Sequence, residues 1–240
     1  MKTNSKQRKV KIISEIHPQH LGSMDEAKRM ILQSKLGGAD FVKVQLYNSK
    51  LLFDNDDRKY IELSKKEFLE LKNYSKLIGV DFFASIFDES KIEWCEYADI
   101  QYYKIASRTV LDAKLCKKII NLNKQVFISL GMHDNLNQLP YEGDNIIYFY
   151  CVSKYPTQLT EIKMPNFDNS RIKGYSDHTV GISACLHAVS KGALYLEKHF
   201  STNKQINVDT QQAHICSMDY EDLNSLRKHA DAITLIRNNL

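Results

Sequence analysis

Eight short runs rich in β-branched and aromatic residues recur along the chain, and stretches of helical spacing separate most of them. The runs are VKIISEI (Val10–Ile16), FVKVQLY (Phe41–Tyr47), FFASIF (Phe82–Phe87), YYKIAS (Tyr102–Ser107), VFISLG (Val126–Gly131), IIYFYCVS (Ile146–Ser153), KGYSDH (Lys173–His178) and LYLEKHF (Leu194–Phe200). Strand-length runs that alternate with helices point to a parallel sheet, because parallel strands need a crossover between them. Apolar periodicity predicts helices over Met24–Gly37, Lys66–Ile78, Leu111–Leu122, Gly181–Gly192 and Met218–Asn238. SMDYED opens the last of these with a capping residue and an acidic first turn. The connections MHDNLNQLPYEGD and KYPTQLTEIKMPNFDNSRI lack that periodicity and are expected to hold little or short helix.

Eight βα units in 240 residues fit an α/β fold of the (β/α)8 TIM-barrel type. An open Rossmann sheet would want a Gly-rich phosphate turn after the first strand, and EIHPQHLGS is not one. Residues 1–240 read as a single catalytic barrel, with residues 1–9 a polar N-terminal extension. The formal charge is only +4, which argues against a nucleic-acid partner. No stretch approaches the roughly 20 apolar residues of a membrane span. The five cysteines are scattered and form no CxxC pair, so they read as reduced thiols of a cytoplasmic protein.

In such a barrel, inward-pointing residues near the C-terminal strand ends carry the chemistry. Period-two alternation turns Lys43 and Gln45 inward from the second strand while Val42, Val44 and Leu46 face the helices. The same reading places Glu15, Ser85, Lys104, Ser129, Ser153, His178, Glu197 and His199 around the mouth. One polar strand end is common, but polar residues at eight are not, and burying two lysines and two glutamates without partners would be expensive. A polar ligand accounts for them together. Lys43 and Lys104 are fixed cations suited to a phosphate or carboxylate. His178 and His199 end neighbouring strands, so their imidazoles could converge on one divalent ion and leave positions open for substrate oxygens. Asp177 alternates away from His178 and is expected to cap the following helix.

These residues sit in motifs that resemble the sialic acid synthases: SEIHPQHLGS, GGADFVKVQLY, FFASIFD, YYKIAS, FISLGM, CVSKYPT, GYSDHTVGI, LEKHF and NVDTQQA, in this order over nearly the whole chain. The most specific pair is GYSDHT…G with EKHF. The family condenses phosphoenolpyruvate with an N-acetylated hexose to give nine-carbon ulosonic acids. The resemblance implies that His178 and His199 hold a divalent metal (Mn, Mg or Co). It implies that Lys43, Gln45, Ser85, Lys104, Ser107, Ser129 and Tyr155 surround phosphoenolpyruvate, with Ser153 where the family usually has Asn. Glu197 joins this substrate-binding set, Glu15 would be an acid/base residue, and Asp209 would contact the acceptor sugar.

There are departures. The usual E-I-G-x-N-H-x-G reads Glu15-Ile16-His17-Pro18-Gln19-His20-Leu21-Gly22, and the Gly-Glu that usually follows KIAS is Arg108-Thr109. The family's C-terminal antifreeze-like domain has no counterpart in these 240 residues, so the donor side is expected to be preserved and the acceptor side altered. The expected activity is a metal-dependent condensation of phosphoenolpyruvate with a sugar aldehyde, giving a 3-deoxy-2-ulosonic acid and phosphate. A homo-oligomer, or a separate cap protein over the mouth, is expected with it. Two rivals stand beside it: a Schiff-base aldolase using Lys43 or Lys104, and a non-catalytic sugar- or phosphate-binding barrel.

Overall fold

The structure is a computed structural model and describes residues 9–205 and 214–239. Eight parallel strands close into a barrel: β1 (Lys11–Glu15), β2 (Phe41–Leu46), β3 (Asp81–Ile86), β4 (Tyr102–Ile105), β5 (Gln125–Ser129), β6 (Ile146–Cys151), β7 (Ile172–Asp177) and β8 (Tyr195–His199). Each strand pairs with the next, and β8 closes on β1 with Glu15 opposite His199. The helices are α1 (Met24–Gly37), α2 (Ser49–Phe53), α3 (Lys65–Ile78), α4 (Ser90–Tyr97), α5 (Ala113–Ile120), α6 (Ser183–Ser190) and α7 (Tyr220–Arg237). The fold is thus a (β/α)8 barrel.

Local chemistry explains where the helices begin. Ser23 caps α1 by accepting the Glu26 amide, and reciprocal capping boxes, Ser64 with Glu67 and Asp219 with Asp222, open α3 and α7. The expected helix from Leu111 to Leu122 is shorter because Asp112 accepts the Leu115 amide at 3.0 Å, so α5 starts only at Ala113. No helix lies between β5 and β6 among the described residues, and only the 3₁₀ turn Leu159–Glu161 lies between β6 and β7. Two helices were not expected: α2, between the second strand and the helix expected from Lys66, and α4, whose few apolar positions form no continuous stripe.

Alternation along the strands builds the interior in layers. Phe41, Phe83, Tyr102, Phe127, Phe149 and Tyr195 point inward and plug the N-terminal half, with neighbouring ring centroids between 4.9 and 6.2 Å apart. Two residues further along the same strands come Lys43, Ser85, Lys104, Ser129, Cys151 and Glu197. The plug is therefore the floor on which the polar layer stands. Gly174 on β7 makes room for it, since a Cβ there would fall 2.6 Å from the Phe149 ring. The alternate residues, among them Val42, Val44, Leu46, Ala84, Ile105 and Ile128, are buried against the helix layer.

Candidate active site

Above the aromatic floor lies a cavity of about 440 Å³ at the C-terminal end of the strands. It is lined by Glu15, Lys43, Gln45, Ser85, Lys104, Ser107, Ser129, Ser153, Tyr155, His178, Glu197 and His199, so the strand-end residues singled out above come together there. Asp209 lies outside the described residues.

The floor of the cavity is an ion network. Lys43 is hydrogen-bonded to Glu15 and donates to Ser85 Oγ at 2.8 Å, and its Nζ lies 3.8 Å from Glu197 Oε2. Lys104 donates to Glu197 Oε1 at 2.9 Å and rests 4.4 Å above the Phe149 ring. The lysines are therefore not bare cations: each is matched by a carboxylate, which is how a barrel interior can hold them. Gln45 donates to the His17 carbonyl at 3.2 Å, and the His17 amide donates to Glu15 Oε1 at 2.8 Å, fixing the Glu15 carboxyl.

Environment separates the two carboxyls. Burial raises the pKa of both, but at Glu197 the attraction of Lys104 and Lys43 wins and holds it down at about 2. At Glu15 burial prevails over Lys43, with the Glu197 charge adding to it, and the pKa stays above the usual carboxylate range. A permanently ionised carboxylate beside one that is reluctant to ionise is the pattern expected of an electrostatic residue next to a proton carrier.

Three serines form a cradle on the β4–β6 side. Ser107 Oγ accepts the Gly131 amide at 3.1 Å. A Cβ on Gly131 would come within 2.7 Å of both Ser107 Oγ and Ser153 Oγ, so only glycine lets the two hydroxyls converge. Ser129 Oγ is buried and has no hydrogen-bond partner among the described residues, and the same holds for Glu197 Oε2. Orphaned polar atoms facing a cavity are sites at which a ligand restores the missing bonds.

On the opposite side stand the two histidines, with ring centroids 6.0 Å apart. His178 Nδ1–H donates to the Val152 carbonyl at 2.8 Å, and His199 Nδ1–H donates to Gln19 Oε1 at 3.0 Å. Each ring thus has its tautomer fixed, and Nε2 of each has no partner among the described residues. Burial, reinforced by His178, holds the His199 pKa well below the usual imidazole range. Burial also presses on His178, but the Cys151 sulfur and the Val152 carbonyl leave the net shift upward. Tyr155 stacks on the His178 ring at 3.9 Å.

A neutral imidazole that donates through Nδ1 and offers Nε2 is what a divalent ion requires, so the pair fits such an ion. No group of three or more His, Cys, Asp or Glu residues suited to a metal occurs among the described residues. The chain would then supply two ligands and leave the others to water and substrate.

One expectation is corrected. Asp177 does not cap the following helix, whose first turn carries no side-chain cap. It faces the helix layer and accepts from Lys198 Nζ at 2.7 Å, from the Tyr175 hydroxyl and from the Thr179 amide. Several lining residues were overlooked, among them Ser176, Cys151 and Arg58. Ser176, which donates to Glu197 Oε1 at 3.0 Å, shares its parity with His178, and Cys151 shares its parity with Phe149, so alternation could have found both. Arg58 lies in a connection where no periodicity points to it.

Fold and cavity together define a (β/α)8 barrel whose mouth is equipped for anionic, oxygen-rich ligands. This chain belongs to the NeuB family, whose family model matches residues 30–239. It is 31% identical to N-acetylneuraminate-9-phosphate synthase of Drosophila melanogaster over 90% of this chain and 66% of that protein. It is 29% identical to N,N'-diacetyllegionaminic acid synthase of Campylobacter jejuni over 91% of this chain and 75% of that one. Among solved structures, N-acetylneuraminic acid (sialic acid) synthetase from Leptospira borgpetersenii, in complex with citrate, superposes with a TM-score of 0.84. That match has 26% identity and covers 96% of this chain and 86% of that one. No helix among the described residues is long and apolar enough to cross a membrane.

Proposed function

We propose that the protein condenses phosphoenolpyruvate with a sugar aldehyde to give a 3-deoxy-2-ulosonic acid and inorganic phosphate. The observation that carries the reading is the juxtaposition in one cavity of the serine cradle, the Lys43–Lys104 floor and two imidazoles with free Nε2 atoms. The names of the relatives, synthases of nine-carbon acidic sugars, support it.

In this reading Ser107, Ser129 and Ser153 receive the donor phosphate, while Lys43 and Lys104 balance its charge and that of the carboxylate. Holding donor and aldehyde in one cavity supplies much of the rate by orientation alone. A divalent cation held by His178 and His199 would polarise the aldehyde oxygen as a Lewis acid. C3 of the donor bonds to the aldehyde carbon, water adds at C2, and the C2–O bond to phosphate breaks to leave a ketone. Glu15, with its raised pKa, takes the proton that the water releases and passes it to the former aldehyde oxygen, which becomes a hydroxyl. The second water proton leaves with the phosphate as the ketone forms. Gln45 and the His17 amide keep its carboxyl oriented. Glu197 stays ionised and holds Lys104, and Asp209 is proposed to meet the acceptor. Cys95, Cys116, Cys151 and Cys185 are buried thiols that form no disulfide, which suits a reducing compartment, so we place the protein in the cytoplasm. We also propose that a second copy of the chain, or a separate cap protein, closes the mouth against water.

The test is phosphate release from phosphoenolpyruvate with N-acetylmannosamine, N-acetylmannosamine 6-phosphate and simple aldoses, with Mn²⁺, Mg²⁺ or Co²⁺ and with chelator. Metal-dependent release with a sugar supports the reading, and binding without release across the panel sinks it. One observation favours the aldolase instead: burial lowers the Lys104 pKa, as an imine-forming lysine requires. Its ion pair with Glu197 opposes that role, and borohydride trapping with a carbonyl substrate decides between them.

A further inference from the structure

The cavity contains four cationic side chains, and they fall into two classes. Lys43 and Lys104 are buried and each is paired with a carboxylate. Arg58 and Arg108 stand further out, Arg58 half-buried and Arg108 exposed, and neither side chain has an acidic or hydrogen-bonding partner among the described residues. They are gathered around one ring instead: the guanidinium carbon of Arg58 lies 4.5 Å from the Phe53 centroid and that of Arg108 lies 5.2 Å from it.

An aromatic face steadies a guanidinium without using its N–H groups, which remain available for an anion. The placement of Arg58 is built into the backbone. Ser49 Oγ accepts the Arg58 amide at 3.3 Å and donates to the Asn55 carbonyl at 3.0 Å, which ties the turn after α2 together. Arg108 directly follows Ser107 of the cradle, in a turn closed by the Thr109 amide on the Ala106 carbonyl at 2.9 Å. Burial and the Arg108 charge both disfavour the charged form of Arg58. Two like charges held together without a counter-ion are a liability unless something anionic arrives.

We infer that the acceptor sugar carries a second anionic group, a phosphate monoester at the end remote from its aldehyde, and that Arg58 and Arg108 grip it at the cavity mouth. The inference rests on the synthase reading above. With the aldehyde directed toward the histidines and the donor in the serine cradle, the tail of an extended six-carbon chain points outward. A dianion there would receive bidentate hydrogen bonds from two forks at once, which a neutral hydroxyl cannot match. The arginines are specificity residues for the acceptor, not part of the donor site.

The metal-loaded protein is assayed with N-acetylmannosamine and N-acetylmannosamine 6-phosphate as probes. We expect kcat/KM to favour the phosphorylated sugar by roughly 100-fold, and added salt to shrink the preference. Arg58→Gln and Arg108→Gln should each raise the KM of the phosphorylated sugar by about 10-fold while the KM of phosphoenolpyruvate stays put. Equal kcat/KM for the two sugars overturns the inference. So does a rise in donor KM with acceptor KM unmoved, which would assign the pair to the donor. If neither sugar releases phosphate from phosphoenolpyruvate, the synthase reading fails for these acceptors. Calorimetry then judges the arginines separately: binding of N-acetylmannosamine 6-phosphate that weakens in the R58Q/R108Q double variant supports the grip, and equal affinity overturns it.

Discussion

Strand β8 separates two charged networks, and their difference shows what buried charge is for in this protein. On its outer face Lys198 donates to Asp177 Oδ2 at 2.7 Å and to the Thr179 carbonyl at 2.6 Å. Asp177 Oδ1 accepts from the Tyr175 hydroxyl and the Thr179 amide, each at 2.9 Å, so both carboxylate oxygens are satisfied. On its inner face Glu197 has one oxygen hydrogen-bonded and the other without a hydrogen bond, 3.8 Å from Lys43 Nζ, and His199 beyond it has an Nε2 with no partner among the described residues. Both networks are buried in side chains of similar type. One is closed: it has both carboxylate oxygens satisfied and lines no part of the cavity. The other keeps open valences on a cavity, which is the mark of a site that waits for a ligand.

The largest effect should come from the open network. His178→Ala or His199→Ala should lower metal-stimulated turnover by at least about 1,000-fold, since polarisation of the aldehyde oxygen is worth several kcal/mol. Each substitution also removes an Nδ1 hydrogen bond, to the Val152 carbonyl or to Gln19, so a loss of about 1–3 kcal/mol of stability is expected beside the far larger loss of turnover. Phosphate-release assays beside a thermal melt check both halves. A variant that keeps its activity breaks the comparison at its strongest point.

The closed network should behave in the opposite way. Asp177→Asn leaves the Lys198 ammonium buried without its counter-charge and should cost about 3–5 kcal/mol of stability, measured by urea unfolding. Replacing Lys198 by Met in the same protein should recover part of that loss. The sign with pH follows from the pKa of Asp177: burial would raise it, but Lys198 and the hydrogen bonds pull it below its ordinary 3.8. The stabilisation is therefore fully present above pH 3.8 and is lost as pH falls through the lower folded value. Acid unfolding of the wild type should steepen there, and the Asn variant should lack that component. A wild type and Asn variant that lose stability in parallel below pH 4 would show that Asp177 is not the controlling group.

Lys104→Met tests the open network more gently. Glu197 would lose its main partner while a donor phosphate or carboxylate lost one charged contact, so the KM for phosphoenolpyruvate should rise by about 10- to 100-fold. If donor affinity measured by calorimetry is unchanged, Lys104 belongs to the architecture alone.

How much of this could be read from sequence differs between the two faces of the strands. Period two placed Lys43, Lys104, Glu197 and His199 correctly inside, because the aromatic residue two positions earlier on most strands sets the parity. The same rule sent Asp177 outward but gave no partner for it, since Lys198 is remote in sequence and only barrel closure brings the two together. Pairing of the cavity lysines with Glu15 and Glu197 was invisible for the same reason. The boundaries of α4 and α2 were lost because short helices in a large barrel are held by contacts across the fold and carry little periodicity of their own. Arg108 stood out only as a departure after YYKIAS, and Arg58 was least legible of all: a connection has no repeat to betray which side chain turns toward the mouth.

The smallest expected effect offers the sharpest contrast, because it compares two serine hydroxyls. Ser14 Oγ, facing α1, is hydrogen-bonded to Ser34 Oγ at 2.6 Å and belongs to the closed side. Ser129 Oγ, in the cavity, is buried with no partner among the described residues. Removing a satisfied buried hydroxyl should cost about 1 kcal/mol, since it orphans the partner as well. Removing an orphaned one relieves a desolvation penalty, so Ser129→Ala should leave the free protein as stable as the wild type or up to about 1 kcal/mol more stable. Its effect should surface only with ligand. Loss of one hydrogen bond to a charged phosphate oxygen should weaken phosphoenolpyruvate binding by roughly 10-fold. Ser14→Ala should leave that binding unaltered while lowering the urea midpoint. Urea unfolding and donor calorimetry on the two alanine variants therefore have to cross: one loses stability and keeps affinity, the other does the reverse. If both variants lose stability alike and bind the donor alike, the orphaned hydroxyl is not held open for a ligand, and the distinction between the two faces of the barrel wall fails at its cradle.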